Sequence, residues 1–163
     1  MIQRIQSIHL LLISFLIGFL IFGGQSFVDI SGNDSQMNDT ILKIGFKESW
    51  LQNIDGERSM IIPNSYLYYF SIICGVLSFI AIFLFKNRKM QLLLCGFNFI
   101  FIILILFFMY YYVNKFSPLL ANEIESSYKL IGVLPIFLII FNALAMRGIY
   151  RDEILVKASD RLR

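Results

Sequence analysis

Leu92-Leu93-Leu94-Cys95-Gly96-Phe97-Asn98-Phe99-Ile100-Phe101-Ile102-Ile103-Leu104-Ile105-Leu106-Phe107-Phe108-Met109-Tyr110-Tyr111-Tyr112-Val113 carries no formal charge and only one amide side chain. At 1.5 Å of rise per residue such a helix measures about 33 Å, enough to cross a hydrocarbon core of about 30 Å. The apolar run is continuous rather than alternating. That favours a helix over a barrel strand, because only the helix satisfies its backbone within one segment.

The same test applied outward finds three more charge-free gaps. They hold 24 residues between Arg4 and Asp29, 27 between Arg58 and Lys86, and 17 between Lys129 and Arg147. The last is short but workable if Lys129 and Arg147 snorkel. The sequence therefore predicts an all-α membrane protein. It is a single domain, a four-transmembrane-helix bundle with helices at about 5–24, 66–85, 92–113 and 129–147. The composition agrees: 58% of the 163 residues are apolar, 15% are charged, and mean hydropathy is +0.72. A soluble domain averages about 25% charged residues and tolerates only small exposed apolar patches. A soluble enzyme, a disordered chain and a nucleic-acid-binding module are thereby disfavoured. Segment 5–24 reads as a retained span, since its leader carries only Arg4 and Gly23-Gly24-Gln25 makes a poor cleavage site.

Basic residues orient the bundle. With both termini in the cytoplasm, nine of the fourteen lie inside, among them the turn Lys86-Asn87-Arg88-Lys89, and eight of the eleven acidic residues lie outside. Tyr66, Tyr68, Tyr69, Tyr110, Tyr111, Tyr112 and Tyr128 then fall at the outer ends of helices, as an interfacial belt does. A quinone- or headgroup-binding pocket is the sharper reading of these rings.

Residues 25–65 form the only sizeable outer loop. Leu42, Ile44 and Phe46 alternate, and 27–30 and 59–62 supply partner strands. A small extracytoplasmic β element between helices 1 and 2 follows. It leans on the helices, because two or three strands are not stable alone. Trp50 packs there or at the membrane surface, and is a candidate partner contact. Pro63-Asn64-Ser65 supplies a helix stop and an N-cap. Ser117-Pro118 predicts a short helix over 119–124, and Pro135 a bend within helix 4. The tail, 148–163, reads as a cytoplasmic amphipathic continuation of helix 4. Ile154, Leu155, Ala158 and Leu162 lie on one face, and Arg151, Lys157, Arg161 and Arg163 can meet anionic headgroups. Asn33-Asp34-Ser35 and Asn38-Asp39-Thr40 match a glycosylation sequon by chance.

No catalytic, metal-binding or cofactor-binding set is assigned, and no cofactor is expected. The spans hold no ionisable residue of the kind that proton-coupled transporters and pumps carry, apart from His9 near one end. Bis-histidine haem needs two histidines, and the chain has one. Cys74 and Cys95 differ in depth by roughly 10–15 Å, beyond a disulfide's reach. Asn98 and Asn142 are candidate interhelical polar contacts. With Ser78 they would form the polar path of a transporter.

The opening Met1-Ile2-Gln3-Arg4-Ile5-Gln6-Ser7-Ile8 and the ending Ile149-Tyr150-Arg151-Asp152-Glu153-Ile154-Leu155-Val156-Lys157-Ala158-Ser159-Asp160-Arg161-Leu162-Arg163 resemble a Bacteroidota membrane family catalogued as domain of unknown function 4293. Tyr150 replaces a usual basic residue, and Ala158-Ser159 inverts the usual small pair. The resemblance implies four helices, an inner-membrane address and no assigned activity. Both recognisable ends would be cytoplasmic. Arg4, Gln6, Arg151, Asp152, Asp160 and Arg161 then form a candidate partner-contact surface. The expected role is a non-catalytic accessory or scaffold subunit of a larger inner-membrane complex, of envelope biogenesis or protein export. Its partners are the lipid bilayer and that complex, with no nucleic acid. A small oligomeric transporter or lipid-handling protein is the alternative, ahead of a quinone- or haem-binding subunit.

Overall fold

A computed structural model describes residues 2–33, 39–53, 58–85, 87–120 and 122–161. In chain order the elements are α1 (Ile2–Phe22), β1 (Ser26–Asn33), β2 (Asp39–Gly45), β3 (Glu48–Asn53), β4 (Arg58–Pro63), α2 (Ser65–Phe83), α3 (Arg88–Phe116), β5 (Asn122–Tyr128) and α4 (Leu134–Arg161). Three helical segments are long and apolar enough to cross a membrane: Ser65–Phe83, Arg88–Phe116 and Leu130–Lys157. Gln6–Phe22 is a shorter apolar helical stretch.

The helices close into a ring: α1 packs on α2 and α4, and α3 packs on the same two. Each contributes an inward stripe at helical spacing. These are Leu10, Ile13 and Ile17 from α1; Leu67 and Cys74 from α2; Ile102 and Ile105 from α3; and Leu138, Ala145 and Ile149 from α4. Gly75 lets α1 and α2 approach closely, since a Cβ there would lie 3.2 Å from Ile17 Cγ2. The outward faces are large and apolar, with Phe15, Phe79, Phe97 and Phe107 all exposed, whereas Ser71, Ser78, Gln91, Asn98 and Asn142 are buried. Phenylalanine outside and amides inside suits hydrocarbon as the solvent, because lipid competes for no hydrogen bond.

Five strands form one antiparallel sheet in the order β4-β3-β2-β1-β5. It lies where α1 and α3 end and α2 and α4 begin. The opposite end holds the start of α1, the α2–α3 turn and the end of α4. Alternation places Val28, Ile30, Leu42 and Ile44 in the same core as the helices. Their registers are Val28 to Ile44 and Ile30 to Leu42. The rings of Phe27 and Phe46 meet at 5.3 Å. Lys129 ties sheet to bundle: its ammonium lies 2.7 Å from Asp29 and donates to Ser26 Oγ at 2.9 Å.

Several expectations need correction. The sheet is not confined to the connection between α1 and α2, because β5 comes from the connection between α3 and α4. The expected helix over 119–124 is absent. Ser117–Leu119 makes a single 3-10 turn with Pro118 in its first positions, and Leu120 is already extended. The edge of β1 then captures the chain, with Val28 paired to Tyr128 and Ile30 to Ser126. Tyr128 accordingly ends a strand, not a helix. Pro135 is the second residue of α4, where its missing N–H costs nothing, so it starts the helix instead of bending it. The helix continues unbroken through the tail to Arg161, with Ile154 and Leu155 exposed.

Candidate functional site

Chemistry-bearing side chains gather at two levels of the bundle. The first is a polar seam within it. Asn98 Nδ2 donates to Ser78 Oγ at 2.7 Å, joining α3 to α2. Asn142 Nδ2 donates to the Cys95 carbonyl at 3.0 Å, joining α4 to α3. Gln91 Nε2 donates to the Ala81 carbonyl at 2.9 Å. Asn98 and Asn142 are thus placed as interhelical contacts. Each leaves its Oδ1 buried without a hydrogen-bond partner among the described residues. Cys74 and Cys95 are buried free thiols.

The second level is the end opposite the sheet. Gln6 heads the buried stripe that continues through Leu10, Ile13 and Ile17. It meets α4 where Gly148 and Asp152 stand one turn apart. Gln6 Nε2 donates to Asp152 Oδ2 at 2.6 Å, and the two side chains are only 4% and 6% exposed. Gly148 makes the room: a Cβ there would sit 2.8 Å from Gln6 Cγ. Arg88, the first residue of α3, donates from Nη1 to the Asp152 carbonyl at 2.6 Å. One turn of α4 therefore gathers α1 and α3.

The partner-contact residues divide accordingly. Gln6 and Asp152 come together, but turned toward each other. Arg151 is exposed. The side chains of Arg4, Asp160 and Arg161 lie outside the described residues, as do both sequons in part. Trp50 sits far from this end, in β3, between Lys43 and Ile61 in register. It is 7% exposed, with the Arg58 guanidinium 4.8 Å from its ring centroid. Its Nε1 has no hydrogen-bond partner among the described residues. A cavity of about 180 Å³ separates it from the end of α1 at Leu20 and Phe22.

The tyrosine belt gathers near the sheet. Tyr66 stacks on Phe108 at 5.4 Å, and Tyr112 on Phe116 at 5.6 Å. His9 lies 6.2 Å from the Phe141 ring. Among the described residues no three His, Cys, Asp or Glu side chains are placed to hold a metal. The N-cap expected within Pro63-Asn64-Ser65 needs correction at Asn64. Asn64 stands at the N-cap position of α2, yet makes no side-chain cap. Its Nδ2 donates instead to the Gly45 carbonyl at 2.6 Å and to Ser49 Oγ at 2.8 Å. No local signal reveals that choice.

Fold and site together define a helical protein of membrane type, with three apolar helices of spanning length and a small antiparallel sheet at one end of the bundle. The family model described as Domain of unknown function (DUF4293) matches residues 2–162. The chain belongs to that family. Among curated proteins nothing matches it.

Proposed function

We propose that this protein is a non-catalytic accessory or scaffold subunit of a larger complex in the bacterial inner membrane, one of envelope biogenesis or protein export. In this reading α1 is the fourth span, both termini are cytoplasmic, and the sheet stands outside the membrane. The observation that carries the proposal is the open sheet. Among the described residues β4 and β5 each pair on one side only. Ile41 and Ile61 are exposed on the face shared with Lys43 and Trp50. Open strand edges beside exposed apolar residues invite strand addition or face docking by another chain.

The test is purification of the tagged protein, at native level and in mild detergent, followed by mass spectrometry of the intact assembly. Stoichiometric larger partners are expected, and Ile61→Lys should release them while the bundle stays folded. A lone monomer or a homo-oligomer would overturn the proposal.

A further inference from the structure

A cleft of about 510 Å³ opens at the end of the bundle opposite the sheet, between the α2–α3 turn and the last turns of α4. Three cations line it: Arg88 and Lys89 at the start of α3, and Lys157 on α4. Glu153 is the one carboxylate among the lining residues, and it lies 2.7 Å from Lys157. Among the described lining residues three positive charges less one negative leave +2. Phe85 and Val156 supply apolar wall, and both are exposed. The level is where the apolar run of α2 stops at Phe83 and charged residues begin. Below it Phe79 and Phe83 continue the exposed apolar track along α2, their rings 5.1 Å apart.

We propose that this cleft binds one anionic phospholipid, its phosphate held by Arg88, Lys89 and Lys157 and its acyl chain lying along Phe83 and Phe79. Two features make the site anion-binding, and the apolar wall beside them favours a lipid over a free anion. The cations converge from two helices on one cleft, as in basic interhelical pockets that take anionic headgroups. The apolar wall of Phe85 and Val156 stands beside the cations, and α2, which ends at Phe83 two residues before Phe85, carries the exposed Phe83 and Phe79, apolar surface that a free phosphate would not use. The start of α3 adds the positive end of a 29-residue helix beside the same cations. Arg88 uses one N–H on Asp152, so its guanidinium is held in place at the cleft and not left mobile.

The proposal is independent of the accessory-subunit reading, and its test does not require a partner protein. The protein, purified in neutral detergent, is given phosphatidylglycerol or phosphatidylcholine and examined by native mass spectrometry. One phosphatidylglycerol per chain should be retained, roughly tenfold or more over phosphatidylcholine. The double variant Lys89→Gln/Lys157→Gln should lose that preference, while Lys43→Gln/Lys115→Gln at the other end should keep it. Phosphatidylglycerol should also protect Lys89 and Lys157 of the unaltered protein from amine labelling. Equal retention of the two lipids, or unchanged retention by Lys89→Gln/Lys157→Gln, would overturn the proposal. So would displacement of the lipid by millimolar inorganic phosphate, which would mark a free-anion site.

Discussion

Gln6 and Asp152 lie 146 positions apart in sequence and share a hydrogen bond of 2.6 Å, buried from both sides. It fastens the first turns of α1 to the last third of α4. A buried carboxylate that loses its donor retains the desolvation cost of that loss, about 1–3 kcal/mol and more for a charged group. Gln6→Leu should therefore destabilise the protein by at least that much. Gly148→Ala should act through the same bond, because its methyl would lie 2.8 Å from Gln6 Cγ and push the amide off Asp152. The two changes share one contact, so the double variant should cost less than the sum of the single ones. Thermal unfolding in detergent measures all three. Strict additivity would mean that Gly148 matters for some other reason.

Asn64 gives a sharper contrast. By local rules Asn64→Asp is conservative, since aspartate caps a helix as well as asparagine does. Here the side chain faces the Gly45 carbonyl at 2.6 Å and donates to it. An aspartate cannot donate when ionised, and it would set a carboxylate against a carbonyl in a fully buried site. Asn64→Asp should destabilise more than Asn64→Ala, by a further 1–3 kcal/mol or so. Chemical denaturation of the two variants decides the order, and the reverse order would show that the helix cap dominates.

These two residues also mark what sequence can and cannot reveal. The apolar helices α2, α3 and α4 are legible because charge is absent over stretches close to the length needed to cross a bilayer. Gln6 and Asp152 are recognisable as members of the end segments, but nothing local shows that they bond to each other. The apolar alternation of Leu42 and Ile44 reveals β2. By contrast β3, Glu48–Asn53, has Trp50 and Leu51 adjacent, and β5, Asn122–Tyr128, has only Ile124 and Tyr128 as apolar residues. Neither alternates, so both depend on an edge offered by a strand already formed. For β5 that edge belongs to β1, about a hundred residues earlier, and the helix-start signal at Ser117-Pro118 yields to it after one turn.

Asn98 and Asn142 each satisfy their amide N–H on a neighbouring helix and leave the carbonyl unpartnered among the described residues. Interhelical hydrogen bonds within a bilayer average about 0.6 kcal/mol, and loss of an orphaned carbonyl offsets part of that. Asn98→Leu and Asn142→Leu should thus shift stability by about 1 kcal/mol or less in either direction. Unfolding in detergent or bicelles measures it. A far larger loss would show that each carbonyl has a bound partner, such as an ordered water, which would move the polar seam toward a transport path.

Lys129 fixes the sheet against the start of α4 through Asp29 and Ser26. Its side chain is 42% exposed and that of Asp29 is 19%, so solvent screens the pair and its worth is modest, about 1 kcal/mol or less. The effect should be local. Lys129→Met should leave the helices intact and raise amide exchange in β1 and β5, where the sheet loses its tether. Uniform acceleration across all the helices would show instead that sheet and bundle unfold as one unit.

The hydrogen bond from Lys157 holds the Glu153 carboxyl below the ordinary glutamate range, with the charges of Lys157, Lys89 and Arg88 acting in the same sense and desolvation opposing them. A carboxyl whose pKa is depressed by folding stabilises the folded state above its unfolded pKa, about 4.3. That contribution disappears as pH falls through the lower, folded value. The last turns of α4 should therefore be equally protected from exchange between about pH 5 and 7, and should fray only below about pH 4. Glu153→Gln should abolish the acid step and raise the charge of the cleft from +2 to +3, which should tighten its hold on phosphatidylglycerol. Carboxyl chemical shifts followed through a pH titration give the pKa directly. A midpoint at or above the ordinary glutamate value would mean that the Lys157 contact does not persist in solution, and the acid step assigned to Glu153 would have to arise elsewhere.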